Sequence, residues 1–103
     1  MAGVAAPEIL AQVIDCYLED TPQLLQAIAV AVDRGDAIAL RRAAHTLKST
    51  SATLGATDLA QLCKELEVMG QTKAIDNAQV LVSQIEIEYA KVQIALQMER
   101  QHA

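Results

Sequence analysis

At 103 residues, with 52% hydrophobic content but only two aromatic residues (Tyr17 and Tyr89), the chain reads as a single domain, 1–103, of close-packing aliphatic side chains, poorly equipped to line an aromatic cofactor pocket. A formal net charge of −5 and a pI near 4.8, with no run of clustered Lys or Arg, argue against a nucleic-acid-binding surface. No apolar run approaches the roughly 20 residues of a membrane span, and Met1–Ala6 lacks the features of a signal peptide, so no membrane insertion and a cytoplasmic setting are expected.

Taken in chain order, the apolar spacing predicts five helices. The first covers about 7–18, with Ile9, Val13 and Cys16 on one stripe and Leu10, Ile14 and Tyr17 on the next. Thr21-Pro22 reads as a restart, since Thr caps helices and Pro is tolerated in the first turn. The second helix, about 21–34, carries Leu25, Ile28 and Val32 and stops at Gly35. Asp36 caps the third, about 36–54, which runs to Gly55. Leu59, Leu62, Cys63, Leu66 and Met69 mark the fourth, about 57–69, closed by Gly70. Asp76 and Gln79 resemble a capping box for the fifth, about 76–98, built on Leu81, Ile85, Tyr89, Val92 and Leu96. The polar tail Glu99–Ala103, which holds His102, is expected to fray.

Connections this short put successive helices side by side. The expected fold is all-α, an antiparallel up-down-up-down four-helix bundle with an additional N-terminal helix packed across it. Cys16 and Cys63 each sit among apolar residues and read as two buried free thiols. The two histidines and two cysteines have no ligand spacing for zinc, so no metal site is expected.

The third helix carries the chemistry. Leu40, Ala43, Ala44, Leu47, Ser51 and Leu54 share its inward face, and His45 lies about 150° from the centre of that stripe. A histidine in that place points to solvent. Arg41, Arg42 and Lys48, at i−4, i−3 and i+3, can all lie near its ring. The stretch Asp36–Leu54 has a net charge of +2, which leaves −7 on the rest of the chain. A locally basic, exposed histidine on an acidic protein suits an anion or phosphoryl group. Ser49 and Ala52, at i+4 and i+7, are small enough for a partner to approach, and Ile38, at i−7, adds an apolar contact on the same outward face.

The segment from Ala44 to Ala56, Ala-His-Thr-Leu-Lys-Ser-Thr-Ser-Ala-Thr-Leu-Gly-Ala, resembles the phosphorylation motif of histidine phosphotransfer (HPt) domains. Leu47, Lys48, Ser49, Ser51, Leu54 and Gly55 match that pattern counted from His45. Tyr17–Pro22 and Leu62–Glu67 extend the resemblance over nearly the whole chain. Two departures stand out. Ser49 replaces the glycine many members carry after the lysine, and Gln71 stands where some relatives place a second cation.

The resemblance implies a phosphorelay intermediate of two-component signalling, a carrier without independent catalytic turnover. His45 Nε2 would accept a phosphoryl group from a receiver-domain aspartate and pass it to another receiver. Lys48, with Arg41 and Arg42, would stabilise the phosphoryl oxygens. The family register also places a hydrogen-bonding side chain 22 residues beyond the histidine, at Glu67, to orient the imidazole. The implied partners are response-regulator receiver domains and a sensor or hybrid histidine kinase, with the chain a monomer. No cofactor is expected, and the Mg²⁺ of such transfers would belong to the receiver. The competing reading is a phosphate-independent helical adaptor that docks partners on the same face.

Overall fold

The computed structural model describes residues 2–102, with side chains from 8 to 101. Met1 and Ala103, the ends of the expected domain, and the side chain of His102 lie outside the described residues. The described residues form four helices: α1 (Ala2–Arg34), α2 (Ala37–Thr53), α3 (Thr57–Thr72) and α4 (Ala78–His102). No strand occurs among the described residues.

The first two expected helices are one, α1, so no separate N-terminal helix is present among the described residues. Thr21 is not a cap but a buried residue of α1, 1% exposed. The reason is tertiary: Ile14, Tyr17, Thr21, Ile28 and Ala31 form one unbroken buried stripe through the supposed stop. Pro22 falls on the exposed side of that helix, where the Leu18 carbonyl deprived of an N–H partner can be hydrated. A helix of 33 residues spans about 50 Å, and the molecule's long dimension is 49 Å.

Three other boundaries differ from expectation. Gly70 lies inside α3, which continues to Thr72 and ends on Lys73 in the left-handed conformation, φ 59°. Helix α4 begins at Ala78, two residues beyond Asp76. The tail is helical as far as His102, and Arg100 Nε donates to Asp15 Oδ1 of α1 at 3.0 Å. Gly35 and Gly55 do take the positive φ expected at helix ends, 68° and 78°.

Among the described residues α1 packs on α2 and α4, and α3 packs on the same two helices, while the backbones of the diagonal pairs stay more than 8 Å apart. The four helices therefore close a ring around one core. Ile28, Leu40, Leu47, Leu59, Leu66 and Ile85 are fully buried within it. Ile14 and Tyr17 are buried as well, whereas Ile9 and Val13 stay exposed and Cys16 is an exposed thiol, contrary to the buried pair expected. Helix α1 has apolar residues on more than one side, and its neighbours cover only one. Cys63 is buried, and burial pushes its thiol up to about 12. No helix among the described residues is long and apolar enough to cross a membrane.

Candidate functional site

Helix α2 is fixed at its start by Asp36, whose Oδ1 accepts the Ala39 N–H at 3.1 Å. Leu40, Ala43, Ala44, Leu47 and Ser51 bury its inner face, with Leu54 half-buried at its end. Tyr17 of α1 adds a buried hydrogen bond, its hydroxyl 2.8 Å from Ser51 Oγ. That packing fixes the rotation of α2 and turns His45 outward, its side chain 58% exposed.

Helix α3 brings one carboxylate to it. Glu67 is largely buried, its side chain 12% exposed, and its two oxygens have separate partners. Oε2 lies 2.8 Å from His45 Nδ1, and Oε1 accepts from Lys48 Nζ at 2.7 Å. The Lys48 ammonium holds the Glu67 carboxyl below the usual carboxylate range; partial burial opposes this and the His45 contact adds to it. An ionised carboxylate can only accept, so Nδ1 must carry the proton and donate it to Oε2. In the neutral ring that leaves Nε2 with a free lone pair facing solvent.

In front of the ring is a shallow depression of about 510 Å³ lined by Arg41, Arg42, His45, Thr46, Glu67 and Gln71. No described carboxylate pairs with either arginine. A second, apolar groove of about 410 Å³ runs between α1 and α2; Val13, Cys16, Tyr17, Leu24 and Leu54 contribute to it, and Thr46 lines both hollows. Ile38, Ser49 and Ala52 are exposed along α2. Among the described residues no three His, Cys, Asp or Glu side chains gather as a metal site would need.

The sequence model of the Hpt domain family matches residues 12–100. The chain belongs to the Hpt domain family. Among solved structures it is similar to histidine-containing phosphotransfer protein B (HptB) from Pseudomonas aeruginosa PAO1. The identity is 36% and the TM-score 0.87, over 90% of this chain and 81% of that one. No curated protein matches the sequence significantly.

Within this Hpt domain the structure brings Arg41, Arg42 and Glu67 together at His45, the arginines expected from their spacing and Glu67 from the family resemblance. It differs over Lys48, whose ammonium is engaged by Glu67 and which does not line the depression. Two contributors were missed. Thr46 lines the depression, and its spacing from His45 in the sequence carries no signal of that. Gly70 was read as a helix stop, although a glycine one turn after Glu67 on an amphipathic helix also signals close approach of another backbone. A β-carbon there would lie 3.0 Å from Ala37 O and from Arg41 N and Cβ.

Proposed function

We propose that the domain is a phosphorelay intermediate that accepts a phosphoryl group on His45 Nε2 from a receiver-domain aspartate and yields it to the aspartate of another receiver. The observation that carries this reading is the exposed imidazole with Nδ1 held by Glu67 at 2.8 Å and the ring opening on a depression that two arginines line. In the forward step the Nε2 lone pair forms a bond to phosphorus as the phosphorus–oxygen bond of the acyl phosphate breaks. The receiver carboxylate leaves with that electron pair. The ring becomes a cation while Nε2 bonds to phosphorus, and Glu67 faces the charge that develops. Arg41 and Arg42, with the positive charge of Lys48, favour the anionic phosphoryl group, and Ile38, Ser49 and Ala52 form the docking row.

The domain contributes a positioned nucleophile and a local field, and the rest of the chemistry is the partner's. It is therefore a carrier without turnover of its own, with Mg²⁺ supplied on the receiver. Its scaffold is an antiparallel up-down-up-down course of the four helices, which such short connections favour. It acts as a cytoplasmic monomer between receivers and a sensor or hybrid kinase.

The exposed row along α2 and the apolar groove beside it also suit a phosphate-independent adaptor. Incubation with a radiolabelled phosphoreceiver separates the two. Label should move to this chain and be lost in His45→Gln with the helical circular dichroism unchanged. Label retained in that variant removes His45 from the role, and absence of transfer to the parent chain leaves the adaptor.

A further inference from the structure

The groove of about 410 Å³ between α1 and α2 has a chemistry unlike that of the depression before His45. Val13, Tyr17, Leu24 and Leu54 give it apolar walls. Three threonines of α2 line it as well, but their hydroxyl protons are committed to their own helix. Thr46 Oγ1 donates to the Arg42 carbonyl at 3.1 Å, Thr50 Oγ1 to the Thr46 carbonyl at 3.1 Å, and Thr53 Oγ1 to the Ser49 carbonyl at 2.9 Å.

Two polar groups of α1 remain uncommitted there. Thr21 lines the groove and is only 1% exposed, yet its Oγ1 has no hydrogen-bond partner. The Tyr17 phenol senses Thr21 nearby, but its hydroxyl lies 2.8 Å from Ser51 Oγ and no hydrogen bond joins it to Thr21. Buried polar groups without a partner are rare in native folds, and each calls for a group from outside to meet it. Asp20, the residue before it, is exposed, lines the same groove and pairs with no described cation. No other charged side chain lines the groove among the described residues.

We propose that this groove is a binding site for a small amphiphilic cation, an alkylammonium whose chain lies along the apolar walls and whose head meets Asp20 and Thr21.

Size and head-group chemistry both fit. The volume falls within the roughly 300–1,000 Å³ usual for small-molecule sites. From Val13 to Leu24 the groove follows α1 for about 16 Å at the helical rise, a length suited to a chain. An ammonium has three donors and no acceptor, so it matches a carboxylate and a hydroxyl oxygen. Threonine on a helix has two accessible χ1 rotamers, so the Thr21 hydroxyl turns to the head without a backbone shift. An anionic head would instead meet Asp20 and a chain of net charge −5. A cation site and an arginine-lined depression thus lie on either side of Thr46, which lines both.

The test titrates the whole chain with octylamine, and with octanol and octanoate as controls that keep the tail and change the head. Binding is followed by backbone and methyl NMR. Octylamine should shift resonances of Val13, Leu24, Thr46 and Leu54, with a Kd on the order of a millimolar or below. Octanol should bind more weakly, and octanoate more weakly still. Asp20→Asn, at an exposed position, should weaken octylamine by about twofold to fivefold and leave octanol unchanged. Thr21→Val keeps the shape and removes the stranded oxygen. It should weaken octylamine by about twofold to tenfold without lowering the denaturation midpoint. Phosphoramidate, a small phosphoryl donor that needs no docking surface, should label His45 at the same rate with octylamine bound.

Equal affinity for the three heads overturns the proposal, as do shifts confined to exposed apolar residues elsewhere, such as Ile87 and Ile94 of α4. Undiminished octylamine binding in both Asp20→Asn and Thr21→Val also overturns it, since the chain alone would then be held and water would serve Thr21. Phosphoramidate labelling that falls as octylamine is added would place the amine at the imidazole and not in the groove.

Discussion

Gly70 of α3 stands against Arg41 of α2 so closely that a β-carbon on the glycine would lie 3.0 Å from both the Cβ and the backbone nitrogen of Arg41. The Ala37 carbonyl oxygen is equally near, and backbone atoms cannot rotate aside. About one turn away on each helix, Glu67 and His45 make their 2.8 Å contact. The glycine therefore sets the helix separation at which the carboxylate reaches the ring.

Gly70→Ala should lower stability despite its better helix propensity. The propensity gain is about 1 kcal/mol, against about 1–3 kcal/mol for forcing packed backbones apart. The denaturation midpoint should fall and phosphorylation of His45 should slow with it. A midpoint at or above that of the parent would show that the two helices have room to spare.

Tyr17→Phe removes the hydroxyl that meets Ser51 Oγ at 2.8 Å and leaves a fully buried serine without that partner. The expected cost is about 1–2 kcal/mol. Adding Ser51→Ala should return part of it, since an apolar pair leaves no polar atom stranded. Additive losses in the double variant, read from denaturant midpoints, would mean that the bond contributes nothing of its own.

How far the sequence could be read depended on whether each feature was local to one helix. Helix α2 was legible: Gly35, Asp36 and Gly55 mark its ends, and the spacing from Leu40 to Ser51 fixes which side is buried, so His45 had to face outward. Thr21-Pro22 is also a local signal, yet a buried stripe continuing from Tyr17 to Ile28 overrode it. The Ile9–Val13–Cys16 stripe looked like core because periodicity cannot say which apolar side a neighbouring helix will cover. Glu67 lay at a boundary on its own helical wheel, and only the register between α2 and α3 carries it to the ring. Lys48 shows the same limit, since its spacing to His45 holds no information about a carboxylate arriving from another helix.

Alkaline pH should destabilise the fold in a defined order. Burial pushes the Tyr17 and Tyr89 phenols up from their ordinary 10.0 and the Cys63 thiol from 9.0 to about 12. Each group therefore ionises more readily in the unfolded chain than in the folded one. Its contribution is fully present below the unfolded value and is lost as pH rises through the folded value. The denaturant midpoint should begin to fall above about pH 9, and Cys63→Ala should delay that onset to where the tyrosines take over. A midpoint that declines identically in both proteins would remove Cys63 from the account.

Ser49 lies one turn beyond His45 on the outward row that also holds Ile38 and Ala52. Ser49→Trp should leave the helical content unchanged, because the residue is exposed. Transfer from a phosphoreceiver should drop sharply in it, while labelling of His45 by phosphoramidate stays at the parental rate. Parental rates with both donors would place the receiver elsewhere, and losses with both would mean that the indole disturbs the histidine itself.

Arg41 and Arg42 are the cations left to meet an incoming anion, because both line the depression before the ring and no described carboxylate pairs with either. Arg41→Ala retains the β-carbon that packs on Gly70, and Arg42→Ala leaves the backbone carbonyl that accepts from Thr46 Oγ1 at 3.1 Å, so neither change should disturb α2. Both residues are exposed, and water and salt screen their charges. Each substitution should therefore slow phosphorylation by roughly threefold to tenfold, well short of the about hundredfold or more seen for donors in dry sites. The losses should shrink as salt is added, and Arg→Lys at either position should recover most of the rate if charge alone is at work. The small donor must show them as clearly as the receiver does, since they arise at the phosphoryl group and not in docking. A double variant that phosphorylates at the parental rate in low salt would show that the anion lies against Gln71 and Thr46 and owes nothing to the arginines.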